Sequence, residues 1–452
     1  MTTRYITSNV IGVGPVVDLA RRDDDLFVDI TALVGATSGR AVQGLLSAHD
    51  VFVLGRVSGS TFGVSLGNSL SRSALNTVTV GTDGEVHGVV RGGTVGIAMF
   101  GRSGEIDNFG AVHGVEAAIR LGGIGAGSSS LDNHGLISGR VGVEVNANAT
   151  ETIIIRNSGT ILGEKVAYMG GEGSDRFLNS GKFEGDILLG GGDDVFLDTT
   201  GIYTSLSGST IYGGAGDDAF RITQQTSHVY DGGAGYDTLD LTGATSFYGG
   251  VHLSEPDDLS GQFFGIERVL GSRSGDLIVG NASANTLLGN GGADTLLGGA
   301  GNDVLFGGAG RDTIVGGAGN DTLTGGAGRD FFLMENPNDG VDVITDFSGH
   351  SNQHSGTRDK IVIDIDGFGL TGISGISSGT LRADQFVLFE STTPRDANDY
   401  FIFRRSDSTL WFDRDGYFSG AAIMIADLPD GTELVNLDVI LTASSDSFYA
   451  NF

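Results

Sequence analysis

The sequence from Gly271 to Leu333 divides into seven consecutive nonapeptides: GSRSGDLIV, GNASANTLL, GNGGADTLL, GGAGNDVLF, GGAGRDTIV, GGAGNDTLT and GGAGRDFFL. The first three are degenerate and the last four are nearly identical. Position six is Asp in every copy except the second, which has Asn285, and position eight is always apolar. A period this strict indicates a stack of equivalent units, each of which buries one apolar side chain.

Each nonapeptide combines a glycine-rich turn with a short strand. Glycines at positions one, two and four permit positive φ and bring carbonyl oxygens together, and the Asp at position six adds a carboxylate. The residue at position eight faces inward on the strand. A flexible, all-oxygen donor set favours a hard cation with about six to eight ligands, which is Ca²⁺ rather than Mg²⁺ or Zn²⁺.

One loop cannot complete the shell of such an ion. Successive nonapeptides alternate between two sides of the stack, so repeats two apart share an edge and each ion would lie between two stacked loops. One edge then holds Asp276, Asp294, Asp312 and Asp330, and the other holds Asn285, Asp303 and Asp321. We expect weaker binding at Asn285 and at the degenerate early repeats.

The same nine-residue pattern occurs singly upstream of the tandem array. Its position-six residues are Asp175, Asp194, Asp218 and Asp237, spaced 19, 24 and 19 residues apart. This spacing fits one loop per coil of a parallel β-helix, so these carboxylates are expected to stack along one corner and bind metal. The alternative for some of them is a glycine turn that keeps the pattern without an ion.

A second repeat, Asn-x-Gly-x-apolar-x-Gly, fills the N-terminal third. It starts at Asn108, Asn133, Asn157 and Asn179, at intervals of 25, 24 and 22 residues. Repeats of roughly 20–29 residues with short apolar runs and glycine turns suit the coils of a parallel β-helix. The Leu-x-x-Leu-x-Leu frame of a leucine-rich repeat is not found.

The tandem repeats resemble the RTX (repeats-in-toxin) family, whose signature is GGxGxDx-apolar-x. The resemblance implies a parallel β-roll with Ca²⁺ between its turns, held by the Asp at six and by carbonyls at positions two and four. The ligands it implies here are Gly299, Gly301, Asp303, Gly308, Gly310, Asp312, Gly317, Gly319 and Asp321. We therefore predict an all-β chain with a β-helix over residues 1–250, a β-roll over 251–333 and a β-rich cap over 334–452.

The C-terminal region has no nonapeptide period. Its apolar runs predict strands at Lys360–Ile365, Gln385–Glu390, Tyr400–Arg404 and Thr409–Phe412, a short helix at Gly420–Leu428 and a flexible loop at His350–Thr357. Asp413-x-Asp415-Gly416 fits a plain turn better than a calcium loop, because Met424 replaces the terminal Glu of an EF-hand.

The segments Asp342–Phe347, Asp359–Asp364 and Ala397–Ala422 are similar to the C-terminal regions of proteins exported by Gram-negative type I secretion. That resemblance implies contact with the type I secretion machinery and a secreted, extracellular or cell-surface location. It also accounts for an N-terminus that lacks the basic-then-apolar order of a signal peptide.

The composition restricts the class of protein. Glycine makes up 78 of 452 residues, which predicts few helices. The net charge of −30 repels nucleic acid and opposes folding unless cations collect on the chain. The absence of Cys excludes disulfides and cysteine zinc sites, and no apolar run reaches the ~18 residues of a membrane span.

Two functions from different classes remain open. The first is a structural or adhesive protein (surface layer, matrix fibre or adhesin). Its partners are a cell-surface polysaccharide or further copies joined head to tail, with Arg4–Leu19 and Ser447–Phe452 at the two ends. The second is a secreted polysaccharide lyase or epimerase with a reactive face. Its candidate residues are Arg102, Asp107, His113, Glu116, Arg120 and Lys165.

The lack of a convincing catalytic motif in the sequence favours the first function, the structural or adhesive protein. The Gly-x-Ser-x-Gly matches at Gly63–Gly67 and Gly375–Gly379 lack a strand–helix context. His350 and His354 fall in a polar loop, and no His-Glu-x-x-His motif occurs. We therefore assign no catalytic residue and no cofactor other than several Ca²⁺ ions.

Overall fold

The structure, a computed structural model, describes residues 2–21, 24–29, 32–44, 49–67, 76–81, 89–101, 103–122, 127–199, 208–244, 250–254, 262–349, 358–373, 376–389, 400–414 and 422–443. Nearly all of the regular structure in these residues is β-strand, which confirms the all-β class. The chain divides into two compact units, Met1–Thr238 and Leu239–Phe452. The domain boundaries at residues 250 and 333 stay predictions.

The first unit is a parallel β-helix that begins with three strand faces. Face A consists of Thr2–Ile6, Asp24–Val28, Asp50–Val53, Asn76–Val80, Gly104–Asn108, Ser128–Asn133, Thr152–Asn157, Arg176–Asn179, Val195–Asp198 and Ala219–Ile222. Face B consists of Val10–Gly12, Leu33–Ala36, Arg56–Gly59, Val89–Gly92 and Ala111–Gly114, and face C of Val17–Asp18, Val42–Gly44, Phe62–Leu66, Val95–Met99 and Ala117–Leu121. Each strand pairs in parallel with the equivalent strand one coil later.

Faces B and C are then covered by single long strands. Leu136–Val145, Thr160–Met169 and Lys182–Gly191 each run along face B and continue along face C. Thr210–Ala215 and Val229–Ala234 extend the face C portion, and the short strand Thr238–Asp240 follows. The coil therefore narrows along the chain, as the change in repeat length predicted.

The interior of the β-helix is a stack of apolar side chains. On face A, Leu131, Ile155, Phe177, Phe196 and Phe220 share one register in consecutive coils, and all are fully buried. The rings of Phe177 and Phe196 stack with centroids 5.6 Å apart. Because burying one such side chain stabilises by about 1.5–3 kcal/mol, this stack supplies much of the cohesion between coils.

The asparagines of the second repeat form a buried ladder at the end of face A. The Nδ2 of Asn108 donates to Oδ1 of Asn133 at 2.7 Å, and the same bond joins Asn133 to Asn157 and Asn157 to Asn179, each at 2.8 Å. Asn179 donates to Asp198 at 3.2 Å. Each amide thus both donates and accepts along one row, so the repeat that predicted the coils also stabilises their stacking.

The second unit contains a β-roll made of two parallel sheets. Sheet 1 consists of Arg268–Leu270, Thr286–Gly292, Val304–Gly310, Thr322–Gly328 and Asp342–Ile344. Sheet 2 consists of Val251–Ser254 with Phe263–Phe264 beside it, Leu277–Val279, Thr295–Ala300, Thr313–Ala318, Phe331–Met334 and Lys360–Asp364. Thr286 pairs with Val304, and Thr295 with Thr313. Successive nonapeptides therefore alternate between the sheets, as predicted.

The position-eight side chains form the core of the roll. They are Ile278, Leu287, Leu296, Leu305, Ile314, Leu323 and Phe332, and each is fully buried. The inward orientation predicted for position eight is confirmed.

The C-terminal region extends both sheets of the roll. Ile423–Asp427 pairs with Asp342–Ile344, and Thr409–Phe412, Phe401–Arg404 and Phe386–Phe389 follow it in that sheet. Val439–Thr442 lies beside Lys360–Asp364, with Gly379–Thr380 antiparallel to it and a 3₁₀ turn at Asn436–Asp438 before it. The four strands predicted in this region are confirmed to within one residue at each end.

One element of this region was predicted wrongly. Instead of a helix at Gly420–Leu428, Ile423–Asp427 is a strand antiparallel to Thr409–Phe412. Pairing there buries Ile425 and Ala426, so sheet contacts outweigh local helix preference. The loop His350–Thr357 and the terminal Ser447–Phe452 lie outside the described residues.

Within the part of the chain that the structure describes, no helix has the length and apolar character needed to cross a bilayer.

Replacing Asn157 by Ala (N157A) is expected to lower the free energy of unfolding by about 2–4 kcal/mol. The change removes the 2.8 Å bond from Asn133 Nδ2, which keeps only its longer bonds of 3.3 Å to backbone carbonyls. It also removes the bond from Asn157 Nδ2 to the Lys182 carbonyl, now 3.0 Å long. Urea unfolding in saturating Ca²⁺ measures the loss. The exposed-turn variant N148A serves as the control and should change stability by less than about 0.5 kcal/mol; an equal loss in both variants would contradict a role for the ladder.

Candidate metal site

Each edge of the β-roll carries a row of buried position-six side chains. In the row that runs from Asp276 to Asp330, the backbone N–H of each Asp donates to Oδ1 of the next, at 2.8, 2.9 and 3.0 Å. In the other row, the N–H of Asn285 donates to Asp303 and that of Asp303 to Asp321, each at 2.7 Å. The structure therefore brings these residues together in the two rows that the spacing predicted.

The isolated upstream loops form a third row, at one corner of the β-helix. The N–H groups of Asp175, Asp194 and Asp218 donate to Oδ1 of the next Asp at 2.6, 2.8 and 2.7 Å, ending on Asp237. All four carboxylates are buried. The predicted stacking along one corner is confirmed.

In seven of these carboxylates, the second oxygen has no hydrogen-bond partner among the described residues. The atoms concerned are Oδ2 of Asp194, Asp218, Asp294, Asp303, Asp312, Asp321 and Asp330. A buried carboxylate oxygen without a partner is costly, since it has lost water and gained nothing in exchange. The rows thus contain a series of buried carboxylate oxygens that a bound cation would stabilise.

Where position one is glycine, it leaves an oxygen-lined space beside the orphaned oxygen, whereas the Asp194 loop has the buried Leu189 at that position. A Cβ placed on Gly298 would lie 2.4 Å from Asp303 Oδ2 and 2.4 Å from the Gly316 carbonyl oxygen of the stacked repeat. The same holds in the β-helix, where a Cβ on Gly213 would lie 2.2 Å from Asp218 Oδ2 and 2.5 Å from the carbonyl oxygen of Gly232. In these loops position one is therefore glycine because a side chain would fill this space.

The glycines at positions two and four shape the loop. Gly317 and Gly319 have φ of 92° and 153°, and a Cβ there would lie 2.1 and 1.5 Å from the carbonyl oxygens of Gly299 and Gly301. Gly308 and Gly310 adopt the same conformation. The carbonyls of one loop therefore point at the next loop, which is where a shared ion would need them. Their role as ligands stays a prediction.

The first residue of each row differs from those that follow. Asp175 Oδ2 accepts a hydrogen bond from the Tyr168 hydroxyl at 2.5 Å. Asp276 Oδ2 accepts the N–H of Ser272 at 2.6 Å, and Asn285 Oδ1 accepts the N–H of Asn281 at 2.9 Å. These protein donors occupy the oxygen that is orphaned elsewhere, which agrees with weaker metal binding at the degenerate early repeats.

Two further carboxylates, missed in the sequence, extend the rows of the roll. The N–H of Asp321 donates to Asp342 Oδ1 at 3.1 Å, and that of Asp330 to Asp359 Oδ1 at 2.9 Å. Each is followed two residues later by a buried Ile, namely Ile344 and Ile361. That Asp-x-apolar pattern is the end of the nonapeptide and could have identified both, although neither has glycine at positions one and two and only the Asp342 loop keeps a position-four glycine, Gly340.

Burial raises the pKa of the carboxyls in these rows. The pKa of Asp194 rises to about 8, and those of Asp218, Asp294 and Asp330 rise to about 7. Loss of water is the main cause; neighbouring carboxylates add to it, while the bond from the preceding N–H opposes it. Without a cation, these groups therefore tend to hold a proton near neutral pH.

The donor set fits a hard cation. Each loop offers one carboxylate oxygen and several carbonyl oxygens, and the described residues contain no cluster of three or more His, Cys, Asp or Glu side chains that could hold a metal ion by itself. Such carbonyl-rich coordination suits Ca²⁺, which accepts many neutral oxygens in flexible geometry. In the roll, Asp294, Asp303, Asp312, Asp321 and Asp330 would hold the ions together with the glycine carbonyls.

The residues of the alternative lyase face are not gathered into one cleft. Asp107 lies on face A, His113 on face B and Arg120 on face C, where it pairs with Glu144 at 2.6 Å. Glu116 and Lys165 are exposed on the surface. Arg102 lies outside the described residues. Ser65 of the first Gly-x-Ser-x-Gly match is buried within Phe62–Leu66.

Comparison with known families supports the metal assignment. The family model described as the RTX calcium-binding nonapeptide repeat (4 copies) matches residues 207–221, 270–305 and 297–332. The first segment contains the Asp218 loop of the β-helix, and the other two contain both rows of the roll. No protein with a curated description matches the chain.

In the absence of calcium, stability is expected to fall as the pH rises from about 5 to about 8. The ordinary pKa of these carboxyls is 3.8, and the folded values are higher, so in this window the folded state binds more protons than the unfolded state. Raising the pH removes those protons and favours unfolding. Saturating Ca²⁺ should abolish the fall, because it binds the ionised form. A melting temperature in EGTA that rises between pH 5 and 8 would contradict this account.

Replacing Gly316 by Ala (G316A) is expected to impair one site without removing a ligand. Its Cβ would lie 2.3 Å from Asp321 Oδ2, so the stabilisation by Ca²⁺ should drop by about 1–3 kcal/mol. Calorimetric titration measures the calcium affinity of the variant, and thermal melts with and without EGTA measure its stabilisation by calcium.

The matched control is G291A, at position three, where later repeats already have Ala. The nearest atom to its added Cβ is 3.8 Å away, so stability should change by less than about 1 kcal/mol. If G316A bound calcium with unchanged affinity and stoichiometry, the space beside Asp321 would not be an ion site.

Proposed function

We propose that this chain, which carries RTX calcium-binding nonapeptide repeats, is a secreted structural or adhesive protein that folds on Ca²⁺ outside the cell. The observation that carries the proposal is the three rows of buried carboxylates with orphaned Oδ2 atoms. A chain of net charge −30 that buries such rows needs a cation at each loop. In this proposal the role is mechanical rather than catalytic.

Calcium supply would make folding depend on location. Where Ca²⁺ is scarce, as in the cytosol, the unneutralised rows repel one another and favour an expanded chain that type I secretion machinery can export. Outside a Gram-negative cell, millimolar Ca²⁺ matches sites with a Kd of about 10⁻⁴–10⁻³ M. Because neighbouring loops share carboxylates, filling one site would favour filling the next.

The N-terminal end of the β-helix supports self-association. Among the described residues, Thr2–Ile6 pairs only with Asp24–Val28, which leaves its other edge without a strand. Tyr5, Ile11 and Val13 nearby are 68%, 63% and 78% exposed. Strand edges flanked by exposed apolar side chains readily add another strand. The proposal therefore includes head-to-tail association of copies, in addition to a cell-surface polysaccharide as partner.

Adding CaCl₂ to EGTA-treated protein is expected to convert a disordered far-UV circular dichroism spectrum into a β-rich one. At higher protein concentration, light scattering and negative-stain images should then show assemblies. The variant D303N/D312N/D321N should need at least about tenfold more Ca²⁺, because it removes three charges from the rows.

The exposed-turn variant D430N is the control and should titrate like the parent. A β-rich spectrum in EGTA that calcium leaves unchanged would reject calcium-dependent folding. Calcium-induced folding that leaves monomers at every concentration would reject self-association and leave the folding proposal intact.

A further inference from the structure

Face B of the β-helix carries an open groove lined by basic side chains. Two hollows of about 420 and 650 Å³ lie along it and share Arg91 in their walls. Arg56 lines the first, and His113 and Arg140 line the second. The guanidinium-bearing residues are all exposed.

The register of face B spaces these groups regularly. Ser58 lies beside Arg91, Arg91 beside His113, and His113 beside Ser138 in consecutive coils. Neighbouring strands are about 4.8 Å apart, so the row offers one polar or basic group per coil along a straight line. The ring of His113 also contacts the Ser138 hydroxyl, which holds it in this row.

The arginines of the groove carry charges that no neighbouring carboxylate of the described residues neutralises. Within the described residues, Arg56, Arg91 and Arg140 form no ion pair, although Asp and Glu outnumber Lys and Arg by 56 to 26. Basic residues that do form ion pairs are Arg120, Arg156, Lys182, Lys360, Arg382 and Arg404. A strongly acidic chain thus keeps three unneutralised guanidinium groups on one groove.

We propose that this groove binds an anionic polysaccharide, with carboxylate or sulfate groups of successive sugars on Arg56, Arg91 and Arg140. Guanidinium groups bind such groups through paired, charge-assisted hydrogen bonds. Ser58 and Ser138 supply hydroxyls for sugar hydroxyls, and Val115, which is 69% exposed, offers an apolar contact. This inference rests on the adhesive role proposed above and names its partner.

The charge pattern favours a polysaccharide over nucleic acid. A nucleic acid duplex carries about one charge per 1.7 Å, which a protein of net charge −30 repels strongly. Arg56, Arg91 and Arg140 lie on three different coils, so their charges suit a polymer with widely spaced anionic groups better than the dense charge of a duplex. Glu164 and Glu184 line the far end of the larger hollow, so the basic stretch ends there and the site spans a few coils only.

Calorimetric titration of the calcium-loaded protein with short oligouronates, sulfated oligosaccharides and a neutral oligoglucan tests the proposal. We expect binding of one or both anionic probes, weakened by salt, and none of the neutral probe. The variant R56Q/R91Q/R140Q should bind at least about tenfold more weakly. R156Q removes an exposed Arg from face A, where it pairs with Asp132 at 2.9 Å, and should bind like the parent.

Circular dichroism with calcium confirms that the variants fold, and the titration does not depend on whether the protein self-associates. Equal affinity of the triple variant and the parent would overturn the proposal, as would equal binding of the neutral probe. If single-stranded oligonucleotides bound more tightly than any saccharide, and the triple variant lost that binding, the groove would be assigned to nucleic acid instead.

Discussion

The structure depends on a carboxylate that is buried with only one of its oxygens satisfied. In each row, Oδ1 accepts the N–H of the preceding loop, as when Asp303 accepts from Asn285 at 2.7 Å. That bond fixes the side chain and aims Oδ2 into a space from which water is largely excluded. Because no described protein group meets the orphaned Oδ2 atoms, the folded state needs either a proton or a cation at each loop that carries one.

Glycine makes this arrangement repeatable. Throughout the roll, glycine at position one keeps the space beside Oδ2 open, and positions two and four adopt positive φ so that stacked loops approach closely. The apolar side chain at position eight then anchors the strand, as Leu305 does by full burial. Packing the repeat therefore buries an apolar core and, with it, a carboxylate that needs a cation from solution. For this reason we expect folding to depend on calcium.

Sequence periodicity predicted most of this architecture because a solenoid stacks residues at fixed intervals. The two rows of the roll, the corner row and the buried position eight all follow from spacing alone. Periodicity could not reveal the amide ladder from Asn108 to Asn179, since a repeated Asn also fits a turn. Asp342 and Asp359 were missed because neither has glycine at positions one and two. Ile423–Asp427 was mistaken for a helix because one of its two partners, Asp342–Ile344, is distant in sequence.

The most direct test is an anomalous difference map from crystals grown with calcium. The account predicts density between stacked loops, within coordination distance of Oδ2 of Asp303, Asp312 and Asp321 and of glycine carbonyls of the stacked loops. Maps that show no ion at these loops, with the carboxyls protonated or bonded to protein donors instead, would contradict it.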